Sequence, residues 1–256
     1  MKLGVFIISL ASSERWSLIE GNFAGLGLDA TLFEAFDARQ LDKSEVGALI
    51  DSRLVAKHMG RELANAEVGC ALSHLNLYKK IQSEQIDLAL VMEDDALPNI
   101  DIDCVIGDFL ALAKGRPTVL SLFSGDAYCV KTSIQGCLRC LTPPTHTVAY
   151  VINRQGAEVF LRSTEGKVTA TADWPPVDGV SFFITENPMV EHQSAGSSIK
   201  SERDKLAAPT FGHMLLSVMS LQRSYRWLLM QIIKRRFFKL AAPFRVGITH
   251  IRHQDT

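Results

Sequence analysis

No stretch of this 256-residue chain reaches the roughly 18–20 uncharged apolar residues that a helix needs to cross a bilayer, so no membrane-spanning helix is expected. The GxxxxGK[ST] loop is missing too, which removes the commonest phosphate-binding turn of nucleoside triphosphate enzymes. Cysteines are few and odd in number (Cys70, Cys104, Cys129, Cys137 and Cys140), a usage that points to reduced thiols and a cytosolic compartment. The Cys137–Cys140 spacing offers half a zinc site or a redox pair, but no second CxxC or His-x-His set accompanies it. No internal repeat or low-complexity segment is apparent. Acid is absent from a whole region: between Lys205 and Gln254 there is no Asp or Glu.

That last absence divides the chain. Its formal charge is −1, yet residues 1–204 hold 18 basic against 27 acidic groups, and residues 205–256 hold 9 basic against 1 acidic. In the tail, cations alternate with aromatics and aliphatics through Tyr225, Arg226, Trp227 and the stretch from Lys234 to Lys239. A helix of this composition suits an anionic membrane surface, where each Lys or Arg contributes about 1 kcal/mol. Bulky aliphatics outnumber the stacking pattern that nucleic acid favours, so no nucleic-acid partner is expected. The competing account is a helix that packs on its own domain or on a second copy of the chain in a homodimer, since the cations do not fall on one clean face.

What is present is richest at 87–96, where the apolar run Leu88 to Met92 ends in Glu93, Asp94 and Asp95. A buried strand explains the apolar residues but not the acids, which are costly to desolvate and repel one another at this spacing. A hard divalent ion such as Mn²⁺ or Mg²⁺ takes oxygen ligands and bridges to a diphosphate, so acids at a strand's carboxyl end suggest a nucleotide site. An acidic turn capping the next helix is the plain alternative.

Strand-like and helix-like segments alternate: strands at 3–10, 31–36 and 88–92, helices at 13–26 and 67–83. Shorter strands follow at 118–123, 128–130 and 147–152, then a helix at 154–163 and a loop at 166–176. The first ten residues superficially resemble a signal peptide but lack a cleavage site, and read as a buried strand. This order predicts an α/β layer structure with a largely parallel sheet. A Gly/Ser stretch at 194–209 marks the expected boundary between a domain at 1–204 and a basic, amphipathic helical tail at 205–256.

In such a sheet the loop after Leu10, the loop after Phe36 and the Glu93–Asp95 turn share one rim. Ser12, Ser13 and Arg15 open the first helix, where free N–H groups and a guanidinium meet a ligand, although a serine cap explains the hydroxyls equally well. Asp37 suits a ribose or base, or simply a turn. Gly69 allows close backbone approach beside Ser73 and His74; the latter two diverge by about 100° around a helix, which makes a poor nucleophile–base pair. His192 offers a further imidazole ligand near Ser197 and Ser198, which suit phosphate oxygens, or else all three lie on a surface loop.

Taken together, residues 5–10, Glu67–Leu75, Leu88–Ala96 and 149–153 resemble glycosyltransferase family 25 in order and approximate spacing, over roughly residues 3–200. The resemblance implies a GT-A-like nucleotide-binding fold, a UDP-sugar donor, usually UDP-galactose, and a divalent metal, Mn²⁺ or Mg²⁺, on a DXD-like element. It carries Glu93, Asp94 and Asp95 onto that element, raises His192 as a further ligand, and puts Gly69 to His74 in the donor pocket. It also implies inversion, with a carboxylate as the base: Asp178, in the family's Pro-x-Asp position, comes first, and Asp173 beside Trp174 second. The acceptor so implied is a lipid-linked oligosaccharide, handled by a cytoplasmic enzyme peripheral to the bacterial inner membrane. The rival readings are a metal-dependent phospho- or nucleotidyltransferase and a non-catalytic UDP-sugar-binding module.

Overall fold

The computed structural model describes residues 1–13, 29–123, 125–175, 177–192 and 248–251. Nine strands form one twisted sheet in the order β11-β6-β7-β9-β5-β8-β3-β1-β2. They are β1 (Leu3–Ser9), β2 (Thr31–Glu34), β3 (Leu88–Glu93), β5 (Thr118–Ser121), β6 (Ala127–Lys131), β7 (Cys137–Cys140), β8 (Ala149–Asn153), β9 (Ser181–Thr185) and β11 (Ile248–Ile251). A separate ribbon pairs β4 (Ala96–Pro98) with β10 (Val190–His192). The helices are α1 (Lys43–Leu49), α2 (Ser52–Met59), α3 (Asn65–Ser83), α4 (Ile102–Ala113) and α5 (Arg154–Thr164).

The apolar run of β3 is continuous because both of its faces are covered, and successive side chains enter opposite layers. Ala89 and Val91, with Phe6 and Ile8 of β1, pack against Val68, Leu72, Tyr78 and Phe160 from α3 and α5. Leu88, Leu90 and Met92, with Val5 and Ile7, pack against Val105, Phe109 and Leu112 of α4 on the other face. The result is a three-layer α/β fold, as the alternation predicts.

Six of the nine strands run the same way, so the sheet is mostly parallel in direction. β8 departs from this, lying antiparallel between β3 and β5, and β7 and β11 also run in reverse. Because β8 starts where β3 ends, with Ala149 opposite Met92, the turn before β8 joins the rim formed by the ends of β1, β2 and β3.

Local chemistry places these elements. Asn153 caps α5 through Gly156 N–H at 2.9 Å and also accepts from Thr118 N–H at 3.0 Å, tying β8, β5 and α5 with one amide. At the start of α3, Glu67 accepts from Ala64 N–H and takes the Arg61 guanidinium on both oxygens, at 2.7 and 2.6 Å. This Glu of the Glu67–Leu75 motif therefore anchors a helix.

The helices α1, α2 and α4 were not expected from the sequence. The first two are short, seven and eight residues, and mostly solvent-facing, each burying one valine. The predicted helix at 13–26 and the predicted boundary near 194–209 lie outside the described residues except at Ser13. The tail is corrected at one point: Ile248–Ile251, expected as helix, is a strand paired with β6.

Candidate active site

The three consecutive acids do not act as one cluster, because each turns to a different part of the rim. Asp94 accepts from Ser9 Oγ at 2.9 Å and Ser13 Oγ at 3.1 Å, which binds the loop after β1 to the end of β3. Ser13 N–H closes a turn on the Leu10 carbonyl, leaving Ser12 exposed at its tip. Asp95 lies 3.1 Å from His192 Nε2, delivered by the β4–β10 ribbon with His192 opposite Ala96. Glu93 instead faces α3 and the start of β8: it accepts from Thr147 Oγ1 at 2.6 Å and lies 3.3 Å from His74 Nε2.

Behind Glu93 runs a buried polar chain. His74 Nδ1 sits 2.7 Å from the Tyr150 hydroxyl, which lies 3.1 Å from that of Tyr78. These groups sit where water is excluded, so their pairing avoids the cost of orphaned polar atoms. Burial alone would raise Glu93, but the His74 and Thr147 hydrogen bonds and the nearby imidazoles outweigh it and hold the carboxyl below its usual range.

Asp95 and Asp173 move the other way. Burial raises Asp95 against the opposing His192 hydrogen bond, and the Glu93 and Asp94 charges add to the rise. Burial likewise raises Asp173, with Glu93 adding and the His146 and His74 imidazoles opposing. Asp173 nevertheless keeps exposed surface.

Asp173 is aimed by its neighbour. Trp174 is 3% exposed and packs edge-on to Tyr150 at 4.7 Å and beside Phe160 at 5.7 Å, so the indole belongs to the core and is closed to stacking on a sugar. Trp174 has φ 61° and His146 φ 67°, left-handed conformations that non-glycine residues adopt only under constraint. The backbone of His146 hydrogen-bonds the carboxylate of Asp173, the residue before Trp174. Asp178 is exposed, and among the described residues it makes no hydrogen bond or ion pair.

The remaining predicted residues divide between support and surface. A Cβ on Gly69 would fall 2.6 Å from the Phe36 carbonyl oxygen, so this glycine lets α3 lie on the loop after β2. Ser73, buried, accepts from Phe36 N–H at 2.8 Å and donates to Gly69 at 2.7 Å, clamping the same loop. In that loop Asp37 is held by the Arg39 guanidinium at 2.8 and 2.5 Å, which lowers its carboxyl despite partial burial. Arg15, Ser197 and Ser198 lie outside the described residues.

The sequence passed over Ser9, Thr147, Tyr150 and His146. Only the antiparallel course of β8 brings the last three to this rim, and no local spacing announces it.

For a metal, Asp94, Asp95 and His192 are of donor types that suit a hard or borderline divalent ion, but among the described residues it is Cys70, His74 and Glu93 whose ligand atoms gather within 4.8 Å of one another. Burial first, and the Glu93 and Asp94 charges after it, raise Asp95, and a cation beside it would offset that rise. In both groups the ligands already have protein partners: His74 and Glu93 with each other, Tyr150 and Thr147, Asp95 with His192, and Asp94 with Ser9 and Ser13.

The model of glycosyltransferase family 25 (LPS biosynthesis protein) matches residues 2–143. The chain is 33% identical over 101 residues to a glycosyltransferase 25 family member of Aedes aegypti, covering 37% of this chain and 17% of that protein. It is 30% identical over 95 residues to procollagen galactosyltransferase 1-B of Xenopus laevis, covering 36% and 16%. The chain thus spans about a sixth of the length of these relatives. Among solved structures, it is similar to a glycosyltransferase involved in glycosylation of the major capsid of PBCV-1, at 11% identity and TM-score 0.38, covering 80% of this chain and 98% of that one. HddC from Yersinia pseudotuberculosis, complexed with GMP-PN, gives 12% identity and TM-score 0.39, covering 80% and 99%.

Proposed function

Since the chain belongs to glycosyltransferase family 25, we propose that it moves a hexose, galactose foremost, from a UDP-sugar to a lipid-linked oligosaccharide with inversion at the anomeric carbon. The observation that carries this reading is the exposed acid Asp173, with Glu93, His74 and His146 beside it, near the strand end that also carries Asp94, Asp95 and His192.

In this scheme Asp173, in preference to Asp178, accepts the proton of the acceptor hydroxyl. The acceptor oxygen bonds to C1 of the sugar while the C1–O bond to the diphosphate breaks, its electron pair leaving on the β-phosphate oxygen. Asp94, Asp95 and His192 would hold the Mn²⁺ or Mg²⁺ ion, which supplies positive charge opposite the diphosphate. Ser9 and Ser13 keep Asp94 in place. Glu93, fixed by His74 and Thr147, keeps a negative charge beside Asp173 and so helps make it a stronger base.

Purified protein given UDP-galactose, an oligosaccharide acceptor and Mn²⁺ is expected to release UDP and extend the acceptor, and EDTA is expected to abolish both. Failure to bind or cleave any UDP-sugar, with or without EDTA, overturns the reading. Binding of UDP-sugar that leaves the donor intact would favour a non-catalytic module.

The basic tail belongs to the same proposal, as an attachment to the anionic inner face of the membrane on which the acceptor is built. In flotation with anionic liposomes, the full chain should rise with the vesicles and a chain ending at residue 204 should not. Equal flotation removes the tail from membrane binding.

A further inference from the structure

His146 stands on this rim, exposed, with a left-handed backbone that is uncommon outside glycine. Three separate contacts enforce that conformation. Thr145 Oγ1 accepts from Asp126 N–H at 2.8 Å, and Thr145 N–H returns a bond to the Asp126 carbonyl at 3.2 Å. On the far side Thr147 is held by Glu93. Gly125 closes the turn, because a Cβ there would lie 1.9 Å from the Thr145 carbonyl oxygen. Strain maintained this thoroughly on this rim is a reason to look for what the side chain does.

The ring packs edge-on to Phe123 at 5.8 Å, and the same phenyl packs edge-on to His192 at 6.0 Å. Two imidazoles thus flank one phenyl ring, and His192 is the one that meets Asp95. His146 also lies in the field of both Glu93 and Asp173. The arrangement sets the His146 imidazole beside Glu93 and Asp173 and on the same phenyl as His192, which meets Asp95.

Resting on the reading that the donor is a nucleoside diphosphate sugar, we propose that the His146 imidazole hydrogen-bonds the β-phosphate and stabilises it as the leaving group. The β-phosphate oxygen gains the electron pair of the broken C1–O bond, and a donor aimed at that oxygen is stronger in the transition state than before it. No proton need be transferred; the hydrogen bond grows as charge develops.

The test compares wild type, His146→Gly and His146→Gln by calorimetric titration with UDP and with UMP, and by thermal unfolding. Glycine accepts the left-handed backbone, so His146→Gly should raise Tm while weakening UDP affinity about tenfold or more. UMP lacks the β-phosphate, and its affinity should not change. His146→Gln keeps an N–H donor without relieving the backbone, and should recover part of the UDP affinity with no gain in Tm. Unchanged UDP affinity in His146→Gly, or an equal loss for UMP, overturns the contact. Absence of UDP binding by the wild type overturns the donor reading and the contact together.

Discussion

Asp173→Asn is expected to lower kcat by about 10²–10⁴-fold, the range that a positioned general base contributes, while the protein stays folded. Asparagine retains an oxygen for the His146 backbone and disturbs neither Trp174 nor its packing, so loss of rate without loss of structure isolates the proton acceptor. Asp178→Asn should leave the rate close to wild type; the reverse pattern would hand the role to Asp178.

The same substitution carries a stability signature whose sign follows from burial. The folded protein raises the Asp173 carboxyl, so it favours the protonated form more than the unfolded chain does. The resulting cost is absent below the ordinary aspartate range and grows as pH rises through the folded value. At neutral pH Asp173→Asn should therefore unfold at a higher temperature than wild type, and the difference should vanish in strong acid. For the wild type, a raised base also moves the acid limb of kcat/KM above the usual carboxylate range. A variant that loses both rate and Tm at neutral pH would show that Asp173 serves the fold instead.

Gly69→Ala is expected to destabilise the protein by about 1–3 kcal/mol, although the same exchange inside most helices stabilises. The added carbon would lie 2.6 Å from the Phe36 carbonyl oxygen and 3.2 Å from the Ala38 nitrogen, both backbone atoms that no side-chain rotation can clear. The helix α3 must retreat, and the Ser73 to Phe36 hydrogen bond stretches with it. Thermal unfolding would register a fall of several degrees. An unchanged or higher Tm would mean that the loop after β2 yields at no cost.

The strands that build the rim were readable because their signal is local. Apolar runs at Leu3–Ser9 and Leu88–Glu93 announce buried parallel strands, and the abrupt change to acid after Met92 marks where they end. The short strands β5, β6 and β8 and the helix α5 also fall close to their expected positions. What each acid does was not readable, since residues adjacent in sequence diverge at a strand end and take partners decided by distant elements. Asp94 found Ser9, Asp95 found His192 and Glu93 found His74 through three different crossovers. The order Asp178 before Asp173 rested on the Pro-x-Asp resemblance, which local spacing cannot test, while the indole beside Asp173 lies in the core, as the plain account of that pair has it; the Cys137–Cys140 spacing dissolved into cross-strand packing, with Cys140 opposite Cys129. His146 had no signal at all, because a single left-handed residue leaves no periodicity.

The reversed strand β8 gives the molecule a division of labour. Ends of forward strands and the beginning of a backward one converge on a single edge, so that edge is supplied by two stretches of chain more than fifty residues apart, 93–95 and 145–147. Lengthening or shortening the connection from β7 to β8 would reshape that part of the edge while β1, β2 and β3 kept their register. A lineage of such proteins has room to change what enters on one side without rebuilding what is gripped on the other.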